Sequence, residues 1–365
     1  MTSLLSQRWF AVQEELFPFL QEELGPLTEN HQRLVTAIEF ARVDHFIKDY
    51  RGLVGHPKSE RVAIANAFIA KSIYNLTSNT ALIDRLQCDP TMRRICGWET
   101  KFKIPSGSTF SRAFKEFANT ELATRLHEKF VIDQHGDRLI GHVSRDSTAI
   151  VAREKAVVKT KTKPEKKPKK LGRPKKGEER PAPDPTRLEQ QLNMTLHQML
   201  DDLPKVCDIG CKKDSKGYKM TWKGYKFHID VADGDIPISA LLSSASMHDS
   251  QAALPLAQIT DERITHLYEL LDAAYDSEII RENAKARGRV ALIDFNHRSP
   301  KDTREFAPHE KERYKERSAA ERVNSNLKDN FGGRNIRVRG DQKIMAHLMF
   351  GLLAITIEQT IRLLT

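Results

Sequence analysis

Apolar residues recur at helical spacing through the first third of the chain and alternate further on, so a helical part precedes a sheet. Trp9, Val12, Leu16 and Leu20 share one face, and Leu34, Ile38, Ala41 and Phe46 follow more loosely, which makes residues 1–60 a helical N-terminal region. Val62, Ala65, Phe68, Ile69, Ile73 and Leu76 mark an amphipathic helix from Arg61. Shorter helices over 80–86 and 91–96 are separated by Asp89-Pro90. Pro105 and Gly107 then form a turn, and Ser106 or Ser108 is placed to cap a helix over 110–119. Short helices around a tight turn make residues 61–130 compatible with a helix-turn-helix DNA-binding domain, with Arg112 near the start of its last helix. An ordinary helical bundle would show the same pattern.

The period changes after residue 137. Residues 139–143 are strand-like and deliver Asp146 at the strand's end, as a metal ligand or as a plain turn residue. Residues 218–231 alternate, with Tyr225, Phe227, Ile229 and Val231 on one face, and 236–246 return across Asp233-Gly234-Asp235. Asp249 or Ser250 should cap a helix over 251–259; metal ligation by His248 and Asp249 is the alternative. Residues 264–271 form a mostly apolar central strand that ends at Asp272, with Asp276 or Ser277 capping a helix over 278–286. Residues 289–295 make another buried strand, and an apolar helix over 342–364 closes the chain. Residues 137–365 are therefore of mixed α/β class.

Charge changes this picture in one place. The chain carries a net +10, yet residues 151–180 alone hold 13 Lys and Arg against 4 Glu, so the rest is about neutral. This Lys- and Pro-rich insertion, about 152–185, has the composition of a segment disordered when free, and a short helix over 186–203 closes it. Within it, Arg173-Pro174-Lys175-Lys176 suits the minor groove of A·T-rich DNA; a generic basic linker on phosphates is the alternative, and both imply DNA. The most apolar run, 348–357, is about half of a bilayer span, and the N-terminus lacks a basic secretory leader. Four cysteines suit a reducing cytosol, and Cys207 and Cys211 are expected as free thiols rather than half of a zinc site.

The candidate chemistry lies in Tyr314-x2-Arg317-x3-Glu321-x6-Lys328. On a helix, Arg317, Glu321 and Lys328 fall about 60°, 20° and 40° to one side of Tyr314. Ala319, Ala320, Val323 and Leu327 form the opposite, buried face. The stripe presents a carboxylate among phosphate-binding groups, although a solvated, salt-bridged helix face would look alike. With Asp146 and Asp272 it makes three carboxylates, an all-oxygen set suited to hard cations. Arg334 and Arg337, on a Gly- and Arg-rich loop, suit phosphate contact.

The Tyr/Arg/Glu/Lys spacing resembles the signature helix of the IS4-type (IS4/IS5-like) DDE transposases of bacterial insertion sequences. The segments Asp272-Ala273-Ala274-Tyr275-Asp276-Ser277 and Asp146-Ser147-Thr148 resemble the second- and first-carboxylate motifs of that family, and residues 104–112 resemble its small helical domain. The resemblance implies an RNase H-like catalytic domain in which Asp146, Asp272 and Glu321 hold two Mg2+ or Mn2+ ions. It implies that Tyr314, Arg317 and Lys328 grip the strand being cut. Element ends would be cleaved to 3′ hydroxyls and joined to target DNA, by a homodimer or larger assembly on terminal inverted repeats, in the bacterial cytoplasm at the nucleoid. A catalytically silent DNA-binding derivative and an RNase H-like nuclease without strand transfer are the rival readings.

Overall fold

Among the described residues, the helical spacing of the first part yields eight helices whose apolar stripes face one another. The computed structural model describes residues 2–47, 60–157, 184–213, 217–296 and 304–364. Helices α1 (Thr2–Ala11) and α2 (Phe17–Leu24) are joined by a π turn and followed by α3 (Glu29–Ala41), α4 (Arg61–Ile73), α5 (Asn79–Cys88) and α6 (Pro90–Cys96). Then come α7 (Gly107–Asn119) and α8 (Leu122–His135). Asp89 caps α6 by accepting from the Met92 N–H at 2.9 Å, which is how Asp89-Pro90 splits two helices. Helix α7 starts earlier than its pattern suggested. Ser106 is its N-cap residue, but the hydroxyl meets those of Ser108 and Thr109 rather than a backbone N–H.

The remainder alternates strand and helix. It runs β1 (Leu139–Val151), α9 (Arg187–Gln191), α10 (Leu196–Asp202), β2 (Asp208–Lys213), β3 (Lys219–Ala232), β4 (Ile236–Ser244), α11 (Ala253–Asp261) and β5 (Thr265–Leu271). It ends with α12 (Glu278–Ala286), β6 (Val290–Ile293), α13 (Pro308–Tyr314), α14 (Ser318–Asn330) and α15 (Asp341–Arg362). The six strands form one mixed sheet in the order β2-β3-β1-β5-β6, with β4 also on β3. Pairs β1/β3 and β3/β4 are antiparallel, and β1/β5 and β5/β6 are parallel.

Three sequence expectations are corrected here. Strand β1 does not stop before Asp146 but runs to Val151, because β3 pairs with it from Val143 through Val151. The helix expected over 186–203 is two, since the chain turns after Gln191 and Thr195 starts a second capping box. Strand β2 was not anticipated; its Gly210 and lysines hide the alternation.

Helix α15 is the axis of the core. It packs on α3, α4, α7 and α8 on one side and on β4 on the other, inside a cluster that also takes in Phe227, Ile229 and Val231 of β3. At 22 residues it is long and apolar enough to span a bilayer, longer than the 348–357 run suggested, yet 83% of its most apolar window is buried inside the protein. A core helix has that property.

On the opposite face of the sheet lies a charged network. The fully buried Arg145 donates to both carboxylate oxygens of Asp230 at 2.7 Å, and Glu269 of β5 stands 3.7 Å from it. Thr260 of α11 donates to Asp230 at 2.6 Å, and Arg287 reaches Glu269 at 2.6 Å. Burial alone would lower the Arg145 guanidinium, but the charges of Asp230 and Glu269 outweigh it and raise it above its ordinary value. Removing one member leaves a buried charge alone. Arg145→Ala is therefore expected to lower the free energy of unfolding by about 3–5 kcal/mol, read from urea denaturation; a loss under ~1 kcal/mol would refute the network's role.

Candidate active site

Two strands end their partnership where the first two carboxylates stand. The parallel ladder of β1 and β5 closes at Ser144↔Leu270, and Asp146 and Asp272 each lie two residues further on. The pleat therefore sets them side by side on one face. Asp272 follows β5 and accepts from the Ala274 N–H at 3.0 Å, capping a 3-10 turn over Ala273–Tyr275. Asp146 lies in mid-strand, but its neighbour on the β5 side has ended, so it borders an opening rather than another strand.

Helix α14 closes that opening. Val323 and Leu327 are buried with Ala319 and Ala320, as the apolar face required. The Asn324 amide donates to Asp146 at 3.1 Å, and Glu321 lies one turn earlier. The helix is not continuous with the segment before it. A 3-10 turn over Lys315–Arg317 separates α13 from α14, and the Ser144 hydroxyl of β1 takes the Arg317 carbonyl there. The single stripe expected from Tyr314 to Lys328 is thus interrupted, because a strand side chain claims a backbone acceptor at the junction. Tyr314 still reaches the site by another route, donating its hydroxyl to the Leu271 carbonyl at 3.0 Å, next to Asp272. Arg317 pairs with Glu321 at 2.5 Å, and the Glu321 side chain is 53% exposed.

The electrostatics divide the set. Burial pushes the Asp146 carboxyl up to about 6, and the Asp272 charge adds to this against the Ser147 N–H, Asn324 and Arg317. Burial likewise raises Asp272, with Asp249 and Asp294 adding to it. Lys328 is lowered by burial and then by the charges of Lys212 and Arg334. Two partly buried carboxylates that repel each other, with oxygen donors only, fit a hard divalent cation. Glu321 is turned to Arg317, and among the described residues no three acidic or His/Cys groups are gathered tightly enough to hold an ion.

The other predicted residues are scattered. Arg334 is exposed and pairs with Asp329 at 2.6 Å, Arg337 is exposed on the same loop, and Lys328 is half-buried. Arg112 is exposed on α7 and donates to Thr109 at 3.3 Å. Arg173, Lys175 and Lys176 lie outside the described residues. Cys207 is buried and Cys211 exposed, both as free thiols.

Two capping assignments change. His248 rather than Asp249 or Ser250 caps the turn before α11, accepting from the Ser250 N–H. Asp249 instead pairs with Lys226 at 2.9 Å and takes a hydrogen bond from Ser147, beneath Asp272. Asp276 bonds Arg281 at 2.6 Å, and Ser277 is the N-cap residue of α12 without a side-chain bond. Asn324 is thus a candidate site residue that sequence reasoning missed, and Asp249, weighed there as a cap or a metal ligand, is paired with Lys226. Asn324 had a signal, since it lies about 20° from Arg317 on the same helical wheel.

Two families match the chain. One, described as a transposase DDE domain, covers residues 193–357, and the other, described as a transposase domain, covers residues 21–116. No curated protein matches it.

The raised Asp146 carboxyl has a stability consequence. The fold favours its neutral form, so wild type loses stability as pH rises through the interval from the ordinary carboxylate value to about 6. Asp146→Asn is expected to be more stable than wild type by up to ~3 kcal/mol at pH 8 in chelator, with the gap closing near pH 4. Added Mg2+ should raise the Tm of wild type and leave the variant unmoved. Equal stabilities at pH 8 would show that the carboxyl is not held against its burial.

Proposed function

We propose, from the premise that this chain is a DDE-type transposase of an insertion sequence, that Asp146, Asp272 and Glu321 form its phosphoryl-transfer site and that it is of the IS4 type. A transposase of this kind is an enzyme that cleaves and joins DNA, and its DDE domain has an RNase H-like fold, here the six-stranded mixed sheet. The observation that carries the site is the meeting of three elements: Asp146 and Asp272 side by side beyond the β1/β5 ladder, and Asn324, one turn from Glu321, bonded to Asp146.

DDE transposases generally use divalent metal ions. We assign two Mg2+ or Mn2+ ions to the three carboxylates, where bound ions would activate an attacking oxygen and stabilise the leaving one. The chain's own groups do the positioning. Ser144 and Tyr314 fix the α13–α14 junction to the middle of β1 and the end of β5, which sets the distance of Glu321 from the paired aspartates. Arg317 holds Glu321 in the free protein, and an incoming phosphate competes for its guanidinium. Lys328, depressed by burial and neighbouring cations, gains most from an anion beside it.

Recognition of the terminal inverted repeats is assigned to the helical domain over 61–130, Arg112 included, and to the 152–185 insertion with Arg173, Lys175 and Lys176. Arg334 and Arg337 contact phosphates flanking the cut. A homodimer or larger assembly brings the ends and the target duplex together, at the bacterial nucleoid.

Cleavage of a labelled duplex carrying the element's terminus tests this. Asp146→Asn, Asp272→Asn and Glu321→Ala are each expected to bind as wild type but to cut at least ~10²–10³-fold more slowly. Arg317→Ala should weaken binding and cutting together. Strand transfer of precleaved 3′ ends separates a transposase from a nuclease that only cuts. Wild-type cleavage by Glu321→Ala would remove Glu321 from the site.

A further inference from the structure

Strand β3 outruns the sheet it belongs to. Its residues 225–232 lie between β1 and β4, whereas residues 219–222 pair with β2 alone and Lys223 also accepts from the Ala152 N–H at 2.9 Å. Beyond Gly224 the sheet narrows to a two-stranded ribbon, exposed at Ile209, Lys212, Lys219, Met220 and Lys223. Such ribbons are marginal in water by themselves. This one is stiffened: the Trp222 ring lies so close over Gly210 that a Cβ there would stand 2.4 Å from it, and the indole N–H donates to the Tyr225 carbonyl at 3.1 Å. At its base the Asp208 carboxylate accepts from the Ser246 N–H at 2.8 Å.

The pleat gives the ribbon a direction. Asp146 pairs with Ile229, and Lys223 and Lys219 lie six and ten residues back along β3. Both separations are even, so the two lysines face the same side of the sheet as Asp146. Lys212 pairs with Met220 and so lies on the other face of the ribbon, yet it stands near enough to Lys328 of α14 for its charge to act there.

We propose that the β2–β3 ribbon is a second DNA-binding element, which lays Lys219 and Lys223 on backbone phosphates of the duplex held at Asp146. At ~3.3 Å per residue the lysines are ~20 and ~33 Å from Asp146, or ~6 to 10 base pairs along DNA at ~3.4 Å each. A two-stranded ribbon has the width to enter a major groove. The inference rests on Asp146 belonging to the cutting site.

The test compares the full chain with Lys219→Ala/Lys223→Ala on a labelled duplex carrying one terminus of the insertion sequence. The slope of log Kd against log salt is expected to fall by ~2, at ~0.9 per phosphate lost. Backbone protection ~6 to 10 base pairs from the cut should disappear, with turnover at saturating DNA unchanged and Lys219→Arg/Lys223→Arg restoring both binding readouts. An unchanged slope and footprint overturn the proposal. So does a change in oligomeric state with the slope intact, which would make the ribbon a subunit contact. Asp146→Asn must keep the ribbon's footprint while losing cleavage; if it cuts normally, the assignment of Asp146 fails and the ribbon is judged by slope alone.

Discussion

The buried fork between Arg145 and Asp230 fixes the geometry on which the rest depends. It ties β1 to β3 at 2.7 Å on both branches, and Glu269 brings in β5. Replacing such a network by apolar residues is often neutral for stability, so its value lies elsewhere. A strand that slips by one residue turns every side chain to the other face. Arg145 and Asp146 are neighbours on opposite faces, so any slip that buried Asp146 would also pull Arg145 from its fork on Asp230. The charge on one face sets the register that delivers the carboxylate on the other.

The same logic governs the helix that completes the proposed site. α14 is held by polar contacts to the strands as well as by its apolar stripe. Ser144 meets the Arg317 carbonyl and Tyr314 meets the Leu271 carbonyl, one on each of the two parallel strands that carry the aspartates. Each anchor is within two residues of Asp146 or Asp272. The position of Glu321 is therefore referenced to the strands themselves, while its side chain stays exposed and free to exchange Arg317 for another partner. A fixed backbone and an exposed carboxylate paired to Arg317 leave Glu321 placed beside the aspartates yet open to a new partner.

Much of this was legible in the sequence, for reasons that also explain the failures. Alternation over 218–231 found β3 and helical spacing found α4, while α15, buried on most sides, was found from the apolar run over 342–364. Asp272 was placed correctly because an apolar strand leads straight to it. Asp146 was misplaced at a strand end because β1 is polar through Arg145, Asp146, Ser147 and Thr148; its continuation depends on β3, some 80 residues away, and no local pattern encodes that pairing. The break at Lys315–Arg317 is likewise tertiary, set by Ser144. Asp249 looked like a cap because Asp-Ser before a helix usually is one. Lys226 claimed it instead, through the β3 register.

The length of β3 joins these arguments. One 14-residue strand carries Asp230 of the register lock, Ile229 opposite Asp146, and the lysines of the ribbon. No loop separates them along the strand, so the direction of the ribbon is tied to the sheet that carries Asp146. Material inserted after the first carboxylate strand would ordinarily be a tether. Here the chain that follows it returns as β2 along the outer half of β3, which makes that half a braced arm rather than a frayed end. Any duplex held by that arm is oriented with respect to Asp146 before chemistry begins.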